Sequence, residues 1–175
     1  FHLPKAAKRP GLTQALDLPM SIPSVAELVL AFDSKRQNDI ALSENRIYGK
    51  NSIETLLPRL ILAFPQIKSW QGRNAILFEM TRYARTHHDV VGLALSAAHD
   101  SAYMVRMQAC GIMAYSLDKA AIPTLQELLQ HRDAKTREDA AAAIDAIEHN
   151  NHHYWIDRDH SGGYWIVNPS DQPAV

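Results

Sequence analysis

Two stretches of sequence decide the fold: residues 100–109 (DSAYMVRMQA) and residues 133–140 (DAKTREDA). Each begins with an Asp, a residue that favours the start of a helix, and each has an Ala three residues after an Arg. The two arginines, Arg106 and Arg137, are 137 − 106 = 31 residues apart. A pattern that recurs at this distance predicts a chain built from repeated helical units.

A second helix fits between these stretches. Residues 120–129 (AAIPTLQELL) place Pro123 near the first turn, where proline is tolerated, and carry leucines at helical spacing. A weaker, earlier copy of the pattern starts at Arg73, since 106 − 73 = 33 residues separate it from Arg106. Each unit is therefore predicted to be a pair of helices. The recurring Asp and Arg are interpreted as helix caps and as ion pairs between units.

This pattern resembles the HEAT repeat, in the short form found in many bacterial proteins and in phycobilisome lyases. The resemblance covers about residues 70–148 and is carried by Asp100, Val105, Arg106, Ala109, Pro123, Leu125, Leu128, Leu129, Asp133, Arg137, Ala140 and Ile144. Two positions depart from it: Thr136 replaces an apolar residue, and Gly111 interrupts a helix interior, at a cost of about 1 kcal/mol relative to Ala. The resemblance implies an all-α protein, an α-solenoid of HEAT-like helix pairs.

The chain divides into three predicted parts. Residues 1–23 form an N-terminal extension, because four prolines interrupt any regular element there. Residues 24–150 form the helical repeat domain, which opens with a capping box at Ser24 and Glu27. Residues 151–175 form a C-terminal hairpin and tail.

Within the helical part, residues 35–51 are polar and irregular and are predicted to be a long loop. Residues 53–64 follow as an apolar helix that contains Pro58. Ser69 starts a further helix, and residues 88–98 form another.

The C-terminal part is rich in aromatic and β-branched residues. Residues 152–157 (HHYWID) and 164–168 (YWIVN) flank a turn-rich segment, which predicts a small β-hairpin. Such a hairpin would cover the open end of the helical stack, or its aromatic side chains would bind a partner.

The same segment carries two weak metal patterns. Asp157, Asp159 and Ser161, followed by Gly162, resemble the start of a calcium-binding EF-hand loop, although Asn168 stands where such loops have Glu. Calcium is therefore the one cofactor considered, and otherwise none is expected. Four histidines between residues 149 and 160 are interpreted as surface residues.

The bulk composition bears on partners and compartment. Lys and Arg number 18 against 19 Asp and Glu, so the basic excess typical of nucleic-acid binding is absent. No stretch reaches the roughly 20 apolar residues of a membrane span. The single cysteine, Cys110, allows no internal disulfide and is expected to be buried and inert, which suits the cytoplasm. Because the chain begins with Phe1 rather than Met, a periplasmic location stays an alternative.

No catalytic motif is recognisable, so we expect a non-catalytic protein-binding module. The predicted contact residues lie on the second helices and in the hairpin: His88, Thr124, Glu127, Gln130, His131, Tyr154, Trp155, Tyr164 and Trp165. By analogy with helical-repeat immunity proteins, the expected role is to neutralise a bacterial toxin or effector. Two alternatives stay open: a lyase-like or chaperone-like protein acting on a cofactor-bearing partner, and a metal-binding adaptor.

Overall fold

The computed structural model of the protein describes residues 22–172. These residues form eight α-helices and no strand, which confirms the all-α class. The α-helices are α1 (Val25–Phe32), α2 (Gln37–Tyr48), α3 (Ile53–Ala63), α4 (Trp70–Met80), α5 (His88–Ala97), α6 (Tyr103–Ser116), α7 (Ile122–Leu128) and α8 (Ala134–Glu148). None of the helices in this part of the chain is both long and apolar enough to cross a membrane. The predicted N-terminal extension, residues 1–23, lies outside the described residues except for Ile22 and Pro23.

The start of α1 confirms the predicted capping box. The backbone N–H of Ser24 donates to Glu27 Oε2 at 2.7 Å, and the backbone N–H of Glu27 donates to Ser24 Oγ at 3.2 Å. Both bonds satisfy donors that the first turn of a helix leaves unpaired.

The long loop predicted for residues 35–51 is wrong, because α2 occupies most of it. This helix buries a narrow stripe of Ile40 and Ile47, two turns apart, and its remaining surface is mostly polar apart from the exposed Leu42. A helix with so few apolar residues gives a weak periodic signal, and it is stabilised mainly by packing against α1 and α4.

Helix α6 is the centre of the molecule. It packs against α4, α5 and α8, so residues on all its sides are buried, among them Ile112 and Met113. Gly111 faces the C-terminal segment: a Cβ there would lie 3.4 Å from the indole of Trp155, which is ordinary van der Waals contact.

Two ion pairs repeat along the helices at the same spacing. Arg73 Nε lies 2.7 Å from Asp100 Oδ2, and Arg106 Nη2 lies 2.9 Å from Asp133 Oδ2. In each pair the Asp is 27 residues after the Arg. Each Asp also accepts a backbone N–H at the start of the next helix, from Ala102 and Lys135 respectively. The predicted ion pairing is confirmed for both. The predicted capping is confirmed for Asp133, the N-cap of α8, but is wrong for Asp100, because the N-cap of α6 is Ala102 and it has no side-chain capping bond.

A second hydrogen-bond pattern of the arginines also recurs along the chain. Nη1 of Arg73, Arg106 and Arg137 donates in each case to the carbonyls five and six residues earlier in the chain, at 2.8–3.1 Å. Each arginine therefore ties its own helix to the turn that precedes it.

The predicted β-hairpin is wrong. Residues His152–Trp155 and Pro169–Asp171 form short 3₁₀-helices, and no strand occurs in residues 22–172. The reason lies in the backbone of Trp165, whose N–H donates to His153 Nδ1 and whose carbonyl lies 3.0 Å from His152 Nε2. Histidine side chains thus satisfy backbone groups that an opposite strand would satisfy in a hairpin.

Candidate functional site

The C-terminal segment, residues 149–172, is fixed to the helices through Asp171. The Asp171 carboxylate is almost fully buried and accepts hydrogen bonds from the Tyr115 hydroxyl (3.0 Å), Arg85 Nη1 (3.1 Å) and the backbone N–H groups of Val167 (3.1 Å) and Asn168 (2.7 Å). Burial disfavours its charge, but the bonds from Asn168, Tyr115 and Val167 outweigh burial, and the pKa of Asp171 lies below its ordinary value.

His152 completes this cluster. Its Nε2 lies between the Trp165 carbonyl at 3.0 Å and Asp171 Oδ1 at 3.8 Å, and its ring packs edge-on against Tyr115. Burial, followed by the positive charge of Arg85 and the adjacent His153, lowers the pKa of His152. A neutral His152 therefore donates from Nε2 to the Trp165 carbonyl.

Arg85, Tyr115, His152 and Asp171 are ionisable and close together, as catalytic groups often are. Here each is bonded within the cluster or to neighbouring backbone, and the bonds hold residues 165–171 against α6. None was predicted for this site from the sequence, because 86 residues separate Arg85 from Asp171. The prediction that His152 lies at the surface is wrong, since it is buried. The cluster is best explained as the anchor of the C-terminal segment.

The predicted contact residues on the second helices lie at the surface. His88 opens α5 and is exposed, as are Glu127 and Gln130 on and just after α7, whereas Thr124 is half-buried. His131 has a structural bond, because its Nδ1 accepts the backbone N–H of Asp133. Among the described residues, no hydrogen bond, ion pair or ring contact joins this group to the C-terminal aromatic residues.

The four aromatic residues predicted in the hairpin make different ring contacts. Trp155 and Trp165 have ring centroids 6.2 Å apart, and Tyr164 packs edge-on against His153 at 5.1 Å. Tyr154 stacks on His160 at 3.6 Å. Trp155 is buried against α6, whereas Tyr164 is 54% exposed.

The residues of the calcium prediction have other roles. Asp157 Oδ1 accepts from the backbone N–H and the hydroxyl of Ser161, and Oδ2 accepts the N–H groups of Gly162 and Gly163, all at 2.7–3.0 Å. The Ser161 hydroxyl bond, with these backbone bonds, outweighs burial and lowers the pKa of Asp157 to about 2. Four accepted bonds occupy the lone pairs that a calcium ion needs. No group of three His, Cys, Asp or Glu in residues 22–172 is arranged to hold a metal. The geometry does not support a calcium site at Asp157, Asp159 and Ser161.

Two clefts flank the C-terminal segment where it crosses α6. The first, here called the Phe78 cleft, has a volume of about 190 Å³ and is lined by Phe78, Thr81, Arg82, Gln108, Trp165, Ile166 and Val167. Phe78 is 61% exposed and Ile166 is 51% exposed. Sequence analysis missed both, because an exposed apolar residue in a helix or loop has no distinguishing pattern.

The second cleft, here called the Asp139 cleft, has a volume of about 520 Å³. It is lined by Tyr103, Met107, Lys135, Glu138, Asp139, Trp155, Ile156 and Arg158. Trp155 lines this cleft and Trp165 lines the Phe78 cleft, and the ring centroids of the two indoles are 6.2 Å apart.

Cys110 is fully buried, as predicted, and burial raises the pKa of its thiol to about 12, so it is a packing residue. Comparisons of the chain with protein-family models, with curated proteins and with solved structures gave no match. The resemblance to HEAT repeats therefore stays a prediction.

Proposed function

We propose that this chain is a non-catalytic binding module that inhibits a partner protein, and that it contacts the partner through the surface around the Phe78 cleft. The observation that carries the proposal is the exposure of large apolar side chains on both walls of this cleft. Phe78, Ile166 and the neighbouring Tyr164 are each more than half exposed. Contiguous exposed apolar surface on a soluble protein commonly marks a protein interface.

The rigidity of this surface supports the same conclusion. Trp165 is held through both its backbone N–H and its carbonyl by His153 and His152. Val167 is held by the buried Asp171 carboxylate. A backbone segment that is fixed before binding loses little conformational entropy on association, so its contacts contribute more to affinity.

The helical architecture fits a binding role. The Arg–Asp pairs at Arg73 and Arg106 recur with the same 27-residue spacing. This recurrence supports our proposal that α4 to α8 stack as HEAT-like pairs in a short solenoid, a scaffold whose main function is to present binding surface. Within that proposal, the partner is a toxin or effector that the chain neutralises by direct contact.

Capture of the partner tests the proposal. The wild-type chain is immobilised beside two variants, Phe78→Gln and Leu42→Gln, exposed to lysate of the native source, and the retained proteins are identified by mass spectrometry. Leu42 is a matched control, because it is 68% exposed on α2, outside the Phe78 cleft. We expect wild type and Leu42→Gln to retain one stoichiometric protein that Phe78→Gln loses.

The captured protein is then assayed for its own activity with and without an equimolar amount of the chain. Suppression of that activity supports inhibition. Equal retention by Phe78→Gln would show that the surface is wrong, and undiminished activity of the partner in the complex would show that the chain is not an inhibitor.

A further inference from the structure

Two neighbouring histidines hold the backbone of Trp165. The backbone N–H of Trp165 donates to His153 Nδ1 at 3.0 Å, and the Trp165 carbonyl accepts a bond from His152 Nε2, also at 3.0 Å. The two imidazole rings are in contact, with centroids 4.0 Å apart. Both polar backbone groups of Trp165 are therefore bonded to side chains of the type that gains a proton in mild acid.

The bond to His153 requires a neutral imidazole. A ring nitrogen that accepts an N–H carries no proton of its own, so the proton of His153 lies on Nε2. A protonated imidazole is a donor at both nitrogens and cannot accept the Trp165 N–H. Protonation of His153 therefore breaks this bond, whereas a protonated His152 still donates to the Trp165 carbonyl.

The surroundings of the two imidazoles compensate added positive charge poorly. The groups that face them are Arg85 before α5, Tyr115 on α6, and Tyr164 and Asp171 in the C-terminal segment. In the part of the chain that the structure describes, no charged side chain of α8 lies within ion-pair distance of either ring. Phenols are neutral near pH 7, so the tyrosines supply no counter-charge. The Asp171 carboxylate lies 3.8 Å from His152 Nε2, but it is already paired with Arg85.

Trp165 is the first residue of one wall of the Phe78 cleft. Residues 165–167 line that cleft together with Phe78. The other end of this wall is held by Asp171, which accepts the Val167 N–H at 3.1 Å. Burial opposes the charge of Asp171, but the bonds that it accepts keep its pKa below the ordinary value, so it stays ionised in mild acid. Protonation of a histidine therefore acts on the Trp165 end of the wall and not on the Val167 end.

We propose that His153 is a pH-sensitive latch: its protonation in mild acid releases the Trp165 backbone, loosens the wall formed by residues 165–167 and weakens partner binding at the Phe78 cleft. This inference rests on the proposed function, because the Phe78 cleft is the surface through which the chain contacts its partner. With neutral His153 the wall is fixed before binding. With protonated His153 it has to be ordered during binding, which costs conformational entropy.

NMR of the free chain between pH 7.5 and pH 5.5 tests the latch without the partner. The imidazole signals of His153 report its protonation, and hydrogen exchange gives the protection factor of the Trp165 amide, in which the intrinsic effect of pH on exchange is removed. We expect both to change with the same midpoint, and Trp165 protection to fall by about tenfold or more while Val167 stays protected. A protonated His153 beside a Trp165 amide that is still protected would overturn the inference.

The variant His153→Asn separates the hydrogen bond from the charge. Asparagine offers Oδ1 as an acceptor in place of Nδ1, but it does not titrate. We expect Trp165 protection in this variant to change by less than about twofold over the same pH range. His99→Asn is the matched control and should respond as wild type does, because His99 is 59% exposed just after α5 and its ion-pair partner is Glu127. Equal falls in protection in the two variants would overturn the inference.

Partner release at two pH values connects the latch to function. The protein captured at pH 7.5 is washed at pH 5.5 on immobilised wild type and on immobilised His153→Asn. We expect about tenfold faster release from wild type than from the variant, since a change in binding contacts acts mainly on dissociation. Equal release from both would show that His153 does not control binding.

The inference and the proposed function fail separately. If Phe78→Gln still captures the partner, the proposed surface is wrong, and the Trp165 measurements on the free chain still decide whether His153 is a latch. If Phe78→Gln loses the partner but wild type holds it equally at pH 7.5 and pH 5.5, the surface is correct and the pH control is wrong.

Discussion

Arg106 and Asp133 form a 2.9 Å ion pair across 27 residues of sequence, and the Arg106 side chain is only 6% exposed. Arg106 also donates to the Thr136 hydroxyl and to the carbonyls of Asp100 and Ser101. One side chain thus joins the start of α8 to the start of α6.

Replacing this arginine should destabilise the fold. Arg106→Met leaves buried acceptors without donors, and we expect the free energy of unfolding to fall by about 2–3 kcal/mol, less than for a fully buried pair because Asp133 is partly exposed. Arg137→Met is the matched control: Arg137 is exposed and, among its described contacts, bonds only to carbonyls, so a loss under about 1 kcal/mol is expected. Urea denaturation measures the free energy of unfolding of both variants. Equal losses of stability would contradict the special role of the buried pair.

The sequence was informative where the local pattern is strong. The capping box at Ser24 and the Asp133 cap follow from short-range spacing, the Arg–Asp pairs follow from the recurrence of the pattern, and all of them are confirmed. The helix α2 was missed because only Ile40 and Ile47 are buried in it. Its stability comes from tertiary contacts that a local window of sequence does not contain.

Close approach of α4 to α1 depends on Gly72. A Cβ at this position would lie 1.9 Å from the carbonyl oxygen of Phe32, a backbone atom that cannot move aside cheaply. We expect Gly72→Ala to lower the free energy of unfolding by more than about 2 kcal/mol.

Gly92 provides the control for this substitution. It also lies inside a helix, α5, but a Cβ there would meet nothing within 4 Å. Gly92→Ala should therefore stabilise the protein by about 0.5–1 kcal/mol, through helix propensity alone. Thermal and urea unfolding measure the stability of the two variants against wild type. A Gly72→Ala protein as stable as wild type would show that the α1–α4 contact is looser than described.

The C-terminal segment should loosen in mild acid because of His152. The fold lowers the pKa of His152 below its ordinary value of 6.5, through burial and then the charges of Arg85 and His153. Below pH 6.5 the unfolded chain therefore binds more protons than the folded chain, and stability falls until the pH reaches the folded pKa. Asp171 opposes this shift but does not reverse it.

Urea denaturation at pH 7.5 and pH 5.5 checks this prediction with wild type and His152→Gln. We expect wild type to lose more stability between the two pH values than the variant, which has no imidazole at that position. Contributions of the other histidines are common to both proteins and cancel in the comparison. An identical pH dependence would show that His152 does not carry the effect.

Part of the site, like part of the fold, was predictable from local features of the sequence. Tyr154, Trp155, Tyr164 and Trp165 were selected by composition, and of these the rings of Trp155 and Trp165 come together. Their backbone is not a hairpin, because side chains of His152 and His153 bond the Trp165 backbone. Periodicity in the sequence does not reveal such bonds.

Calcium should have no effect on stability. The Asp157 carboxylate already accepts four hydrogen bonds from Ser161, Gly162 and Gly163. We expect the thermal midpoint to be the same in excess calcium and in EDTA. A rise with calcium that Asp157→Asn abolishes would contradict this assignment and restore the EF-hand interpretation.

Removing the charge of Asp171 should release the C-terminal segment without unfolding the helices. Asp171→Asn keeps the shape of the side chain but leaves Arg85 without its counter-ion and offers one acceptor fewer to Tyr115, Val167 and Asn168. Asp159→Asn is the control, since Asp159 is exposed. Hydrogen exchange of the Trp165 amide should accelerate by about tenfold or more in Asp171→Asn and remain at the wild-type rate in Asp159→Asn, while the amides of α6 stay protected in both. If α6 loses its protection together with Trp165 in Asp171→Asn, the segment is an inseparable part of the helical core.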